Sequence, residues 1–384
     1  MILAAWVLLA LVTGSLVYCV LVMRAARQYL AVHPPSSPAL SPLSVLKPCA
    51  GVDEGLEANL RSFFEQEYPR FEILFAVRNP DDAAVPVIER LRAAYPNIPS
   101  RLIVSGEPPY PNAKVYSLDL MMRAARHDVL VMSDSDIRVT PGFLNAVAAE
   151  FSDPWVAVST CPYRAVPGPS FWTKLEAIGM NTEFISGVLV ARMLEGMKFA
   201  LGPTITARRE VLDRIGGWDY LKDFLAEDFV LGNRATEEGF GVILSSYVIE
   251  HRIGAEPLRP NFAHRLRWCR STRRSRPAGY AGQLFTNPLP LALMLVALRP
   301  GWWPVLAVAV VLRYAVAWIT AVRVLGDRLH FRDYWLILLQ DLLSFSFWVA
   351  GFFGNTIAWR GRKYRLQRDG RFELITSSEN KKRT

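Results

Sequence analysis

Two carboxylates close the segment "VLVMSDSDIRV" (129–139), where Asp134 and Asp136 stand one residue apart at the end of an apolar run. Such a pair can offer one oxygen each to a hard cation such as Mg2+ or Mn2+, which in turn neutralises a diphosphate. A second acidic pair, Asp81 and Asp82, follows another apolar run in "FEILFAVRNPDD". A third, Glu227 and Asp228, lies in "LAEDF" among apolar neighbours, where a carboxylate could take a proton from an attacking hydroxyl. In "HRLRWCRSTRRSR" (264–276), spacings of three and four put Arg267, Arg270 and Arg274 on one helical face. Each pattern also has a plainer use. The first acids could cap a turn, the third pair could begin a helix, and the arginines could lie on a membrane surface.

These side chains need a scaffold, and the middle of the chain supplies alternating strands and helices. "LSVLKP" (43–48), "FEILFAV" (71–77), "SRLIVS" and "DVLVMS" read as strands. Between them lie a helix in "GLEANLRSFFEQEYP" with Leu56, Leu60, Phe63 and Phe64 on one face, one near 85–94, and one over 115–125. Alternation of this kind predicts an α/β fold with a mostly parallel central sheet and helices on both faces. Ligands of such sheets sit outside the carboxyl ends of the strands, where Asp81, Asp82, Asp134 and Asp136 fall. Farther on, "FALGPTITARREVLDRIGGW" (199–218) reads as a strand, a small-residue turn and a helix stopped by Gly216 and Gly217.

The apolar residues concentrate at the two ends of the 384-residue chain, 51% hydrophobic overall. Residues 1–23 carry no charge and would extend about 34 Å as a helix, enough to span the hydrocarbon layer. The run is too long for a signal peptide and lacks its leading positive charge, so it reads as an anchor. Arg24 and Arg27 place the central part of the chain in the cytoplasm. Of three later stretches, 303–322 and 334–359 are long enough to cross, whereas the proline-bearing 285–298 is either re-entrant, interfacial or a crossing. Three crossings keep the basic tail "RGRKYRLQR" inside. The segment 170–200 mixes large apolar residues with Asn181, Glu183, Arg192 and Glu195, and reads either as an interfacial segment or as a buried helix pair.

The expected division is an anchor (1–23), a proline-rich linker (24–42), a cytoplasmic catalytic domain (43–250), an arginine-rich segment (251–282), a membrane region (283–359) and a basic tail (360–384). The net charge of +9 is concentrated, with eight arginines from Arg252 to Arg276. Beside membrane segments, that run suits anionic lipid or a phosphorylated substrate, and nucleic acid is not expected as a partner. Four dispersed cysteines form no CxxC, which indicates neither a zinc site nor a disulfide framework.

Taken in order, "SVLKP", "NPDDAA", "PNAK", "SDSDIRV", "TARREVLDRIGGW", "AEDF" and "RLRWCR" resemble the motif series of family 2-like glycosyltransferases. With one N-terminal anchor and C-terminal membrane helices, the chain is most similar to the ceramide glucosyltransferase-like family (family 21), which includes the bacterial hopanoid-biosynthesis enzymes. The resemblance covers roughly residues 1–360. It implies a GT-A nucleotide-diphospho-sugar transferase fold, a UDP-sugar donor, Mg2+ or Mn2+, and a ceramide or hopanoid acceptor in a bilayer, with the bacterial inner membrane as the expected location. By its pattern Asp81 or Asp82 would sit at the uridine, Lys114 would hold the nucleotide, and Asp134 with Asp136 would serve the metal and diphosphate. Asp228 would be the catalytic base. Arg267 and Trp268 match the end of a QxxRW motif whose glutamine position is His264 here. The second acid of the DxD pattern is not required in these relatives, which puts the weight on Asp134. A processive polysaccharide or polyprenyl-phosphate sugar synthase, and a non-catalytic scaffold for acidic lipids, are the competing readings.

Overall fold

The computed structural model describes residues 2–33, 41–328, 333–359 and 362–375. Part of the expected linker, 34–40, and part of the basic tail, 360–361 and 376–384, lie outside the described residues. The chain divides into two compact units, one formed by 1–32, 164–196 and 255–358, the other by 33–163, 197–254 and 359–384.

The second unit is built on strands β1 (Leu43–Pro48), β2 (Phe71–Val77), β3 (Ser100–Val104), β4 (Val129–Ser133), β6 (Val156–Thr160), β8 (Thr204–Arg208) and β9 (Gly241–Leu244). They form one sheet in the order β3-β2-β1-β4-β8-β6-β9. β1, β2, β3 and β4 run parallel, whereas β8 runs antiparallel to both β4 and β6. β1, β2 and β4 are buried on both faces, which is why they read as continuous apolar runs rather than alternating ones. Their covering helices include α2 (Leu56–Phe64), α3 (Val85–Ala94), α4 (Ala113–Ala124) and α5 (Phe143–Glu150). In place of the expected strand-turn-helix order after 199, a Gly-Pro turn comes first, then β8, then α8 (Arg209–Arg214) and α9 (Gly217–Leu221), separated by Gly216 at φ 96. α10 (Glu227–Glu237) follows. A short antiparallel pair joins β5 (Ile137–Arg138) to β10 (Ile249–Arg252). β12 (Arg362–Leu366) and β13 (Phe372–Leu374) pair near the chain's end, and Phe372 N donates to Asp223 O at 2.9 Å.

The first unit is helical. α1 (Ile2–Leu30) continues beyond the expected anchor through Arg24 and Arg27. α6 (Phe171–Gly179) and α7 (Ile185–Glu195) are joined without a break by a π-turn at Met180–Phe184, so this part of 170–200 is one continuous helix rather than a pair. α11 (Leu258–Ser275), α12 (Pro277–Gly282), α13 (Pro288–Leu298), α14 (Trp303–Ala317) and α15 (Tyr334–Gly351) complete it, while β7 (Tyr163–Val166) and β11 (Thr356–Trp359) fall at the boundaries of the units. Among the described residues three helical stretches are long and apolar enough to cross a membrane: 2–30, 300–324 and 334–351. A fourth candidate, 277–285 with 288–298, is bent by 54°. The arginine-rich helix is tied down at its end. Arg270 and Arg273 donate to the carbonyls of Phe353, Thr356, Phe352 and Gly354, and Arg273 and Arg274 also reach Asn355 Oδ1. These arginines thereby hold the turn that links α15 to β11.

Candidate active site

The sheet order fixes where a ligand belongs. From β1 the chain winds outward through β2 to β3, then crosses back to lay β4 on the opposite side of β1. The crevice at that reversal opens outside the carboxyl ends of β1 and β4. Asp134 is the first residue beyond β4, and its backbone N–H donates to Pro203 O at 3.1 Å. Antiparallel pairing of Ser133 with Thr204 brings the turn before β8, including Gly202, to the same edge.

Two helix starts complete the edge. Asn112 caps α4 by accepting from Val115 N at 3.2 Å, and its amide nitrogen donates to Phe224 O at 2.8 Å and to Glu227 Oε2 at 3.3 Å. Lys114, in the first turn, thus points its ammonium between Asp134 Oδ1 (2.8 Å) and Glu227 Oε1 (3.4 Å). Burial opposes the lysine's charge, but the two carboxylates outweigh it and hold the ammonium above the usual lysine range. On Asp134 burial wins and the carboxyl is raised, with Lys114 resisting the shift and Asp136 adding to it.

Asp228 occupies the first turn of α10. Gly232, one turn on, allows this helix to press on the chain at 199–200: a Cβ there would lie 2.4 Å from Ala200 N. Gly202 does the same for the acid itself, since a Cβ on it would lie 2.8 Å from Asp228 Oδ2. Burial, with the adjacent Glu227 charge, pushes Asp228 up to about 6, against the pull of Lys114 and of the Phe229 and Gly202 backbone groups. Lys114, Asp134, Glu227, Asp228 and Gly202 border one small cavity with apolar walls from Leu118, Ile205 and Trp218.

Asp136 is held from behind. Pairing of β5 with β10 sets His251 Nε2 3.2 Å from Asp136 Oδ2, while Arg252 N donates to the Asp136 carbonyl at 2.8 Å. Burial works against its ionisation, yet His251, supported by Lys47 and Lys114, keeps the carboxyl below the usual range. Its Oδ1 is buried and accepts no hydrogen bond from the described residues. Among those residues no group of three or more His, Cys, Asp and Glu side chains is placed to hold a metal ion. The chemistry nevertheless fits a cation of the Mg2+ or Mn2+ kind, which commonly takes one or two carboxylates and completes its shell with phosphate oxygens and water.

Asp82 Oδ1 accepts from Gly51 N and Ala84 N, each at 2.9 Å, and so ties the loop after β1 to the loop after β2; Asp81 is exposed. His264, Arg267 and Trp268 lie on α11 of the helical unit, where His264 Nδ1 faces Glu176 Oε1 at 3.1 Å and its ring meets Trp268 edge-on at 4.8 Å. Sequence reasoning missed Lys47, His251 and Asn112. Lys47 is fully buried in β1, lies 3.8 Å over the Phe63 ring, and donates to Ser133 Oγ and the Asp134 carbonyl. Burial lowers it to about 8 against the nearby acids. The available signal was a lone charge near the carboxyl end of an apolar strand.

A mostly parallel sheet with acids grouped at its topological switch, Asp134 and Asp136 forming a DxD pair, is the architecture of the GT-A fold. The solved mannosyltransferase PcManGT of Pyrobaculum calidifontis, determined with GDP-Man and Mn2+, shares this fold with a TM-score of 0.54 at 19% identity, over 91% of this chain and 99% of that one. The family description "Glycosyl transferase family 21" matches residues 5–372, and the chain belongs to that family. It is 32% identical over 212 residues to Ceramide glucosyltransferase 1 of Caenorhabditis elegans, covering 55% of this chain and 45% of that protein. To the Ceramide glucosyltransferase of Komagataella phaffii it is 33% identical over 115 residues, 29% of this chain and 23% of that one. The chain therefore spans less than half the length of these curated relatives.

Proposed function

We propose that this glycosyltransferase moves a hexose, glucose or N-acetylglucosamine, from a UDP-sugar to a hydroxyl of a membrane lipid such as a ceramide or a hopanoid. The observation that carries the reading is Lys114 shared between Asp134 and Glu227 beside the raised carboxyl of Asp228. The names of the curated relatives and the three apolar helices support a lipid acceptor. Arg24 and Arg27 after the first of these helices favour a cytoplasmic catalytic unit on a bacterial inner membrane.

A sugar leaves its nucleotide only as fast as negative charge on the departing diphosphate is compensated. Lys114 supplies one fixed positive charge at the cavity, and the motif resemblance assigns another to Arg267. Asp134 and Asp136 would hold Mg2+ or Mn2+, which would supply further compensation. Asp228 takes the proton of the acceptor hydroxyl as its oxygen attacks the anomeric carbon, and a carboxyl near 6 is ionised at neutral pH yet more basic than an exposed one. Attack opposite the departing UDP forms the new glycosidic bond as the old one breaks, inverting the anomeric centre without a covalent enzyme intermediate. By the motif resemblance, Asp81 or Asp82 would sit at the uridine.

The test is incubation of purified protein with labelled UDP-sugars and both lipid classes, with and without EDTA. A single β-linked hexose on a lipid is the expected product. A polymer or a polyprenyl-linked sugar would transfer the assignment to the processive or carrier-lipid synthases. Sugar transfer unaffected by Asp134→Asn and Asp228→Asn would remove these acids from the chemistry.

A further inference from the structure

The last described stretch of the chain folds back onto the unit that carries the large sheet. β12 and β13 pair antiparallel, with Tyr364 opposite Leu374 and Leu366 opposite Phe372, and Gln367 N donates to Arg371 O at 2.8 Å to close the turn. Gly370 in that turn sits at φ 88, a left-handed position that glycine takes without steric cost. Two strands of five and three residues do not hold together alone in water and need a surface to pack on. Tyr364, Leu366 and Phe372 are buried, and Tyr364, Phe372 and Trp359 form a cluster of rings with centroids 5.0 to 6.2 Å apart.

The hairpin fastens to two loops of this unit. At the start of β12, Arg362 donates to Glu107 Oε1 at 2.7 Å, in the loop that leaves β3, and Arg78, just beyond β2, stands 3.7 Å from the other oxygen of Glu107. At the start of β13, Phe372 N donates to Asp223 O at 2.9 Å. Arg371 forms an antiparallel bridge with Phe224, and its guanidinium lies 5.4 Å over the Phe224 ring. Arg362 and Glu107 are solvent-exposed and their pair adds little strength, which leaves the weight on Phe372 and Arg371.

That second attachment bears on the chemistry. Residues 222–226 link α9 to α10, and Asp228 stands in the first turn of α10. The helix begins after Ala226, whose side chain cannot cap it. The loop before the helix, rather than a cap, thus fixes the direction in which Asp228 is presented. Asn112 holds that loop by donating to Phe224 O at 2.8 Å, and the hairpin holds it at the Asp223 carbonyl and the Phe224 ring.

We propose that the β12–β13 hairpin is a strap that positions the base: Phe372 and Arg371 are positioning residues that fix the loop at Asp223 and Phe224, and so the direction in which α10 presents the Asp228 carboxylate to the acceptor hydroxyl. The proposal rests on the reading of Asp228 as the base and adds what holds it in place. Displacing a base by about 1 Å costs on the order of 100-fold in rate and leaves the grip on the donor intact.

The experiment uses the full chain in lipid nanodiscs with UDP-glucose and a ceramide acceptor, with rates normalised to sites counted by UDP binding so that any unfolded fraction drops out. Phe372→Ala should lower kcat about 10- to 100-fold while the KM for UDP-glucose stays within about twofold, and Phe372→Leu, which keeps an apolar anchor, should recover to within about fivefold of the parent. Arg371→Ala, at an exposed position, should lower kcat about threefold and Arg371→Lys should restore it; this pair carries the test if Phe372→Ala does not fold. An unchanged kcat in either alanine variant, or a change in KM as large as that in kcat, overturns the proposal. A parent that transfers no sugar, or an Asp228→Asn protein as active as the parent, refutes the proposed function itself. An inactive Asp228→Asn beside an unaffected Phe372→Ala refutes only the strap.

Discussion

The ammonium of Lys114 stands 2.8 Å from Oδ1 of Asp134, joining the first turn of α4 to the first residue beyond β4. Lys114 is thus the fixed counter-charge nearest the acid on which the site is centred. Replacing Lys114 by Met or Asp134 by Asn should each lower kcat/KM by at least about 100-fold. Because the pair acts as a unit, the double variant should be far less impaired than the product of the two single losses. A double-mutant cycle in steady-state kinetics measures this; strictly multiplicative losses would separate the two roles.

The raised carboxyl of Asp228 sets a pH dependence. As a base it works only when ionised, so kcat/KM should rise as pH increases through about 6 and level off above it. The stability sign is opposite. A carboxyl raised in the native state from 3.8 to about 6 binds more protons there than in the unfolded chain across that window, so its contribution to stability falls as pH rises through it. At pH 7 Asp228→Asn should therefore be nearly inactive yet melt higher, by about 2 to 4 °C after allowance for solvent screening. A rate profile and thermal melts of parent and variant check both signs.

Gly202 carries no left-handed backbone conformation that would forbid a side chain, and its constraint is the neighbouring acid. Gly202→Ala should displace the Asp228 carboxylate and lower kcat by about 10- to 100-fold with a small change in melting temperature. Restored activity in a Gly202→Ala, Asp228→Asn double variant would contradict this account.

Removal of divalent metal should abolish turnover, and Mg2+ or Mn2+ should restore it. His251 orients Asp136 through the 3.2 Å contact, so His251→Phe should raise the metal concentration needed for half activity by about tenfold, and Asp136→Asn by at least as much. Activity titrations against free metal give the values. Full activity of the parent in EDTA would contradict the role given to this pair.

Much of this arrangement was legible from strand ends. The apolar runs at 43–48, 71–77 and 129–133 announce buried parallel strands, and their acidic exits mark the ligand edge before any contact is known. The reversed direction of β8 was not legible, because it depends on Ser133 pairing with Thr204 across 71 residues of chain rather than on any local period. Lys47 was hidden for a related reason: its charge is stabilised by Asp134 and Ser133, which only tertiary structure brings near. In the helical unit, the mixed polarity of 170–200 left an interfacial and a buried reading equally open. Its buried Glu176 and Thr182 pair with Asn261 and Arg313, partners far along the chain that no local period announces. The motif series carried Asp134, Lys114 and Asp228 to one cavity but gave no hint that Asp82 would be engaged by the backbone at Gly51 and Ala84.

The central claim is that Asp228 removes the proton from a lipid hydroxyl at a sugar-nucleotide site built around Asp134 and Lys114. Its most direct test is hexose transfer from labelled UDP-glucose to ceramide in lipid nanodiscs, measured with UDP affinity for the parent protein and for Asp228→Asn. The account predicts transfer reduced by about 100- to 10,000-fold with UDP affinity within threefold. Transfer by Asp228→Asn at even half the parent rate would contradict it.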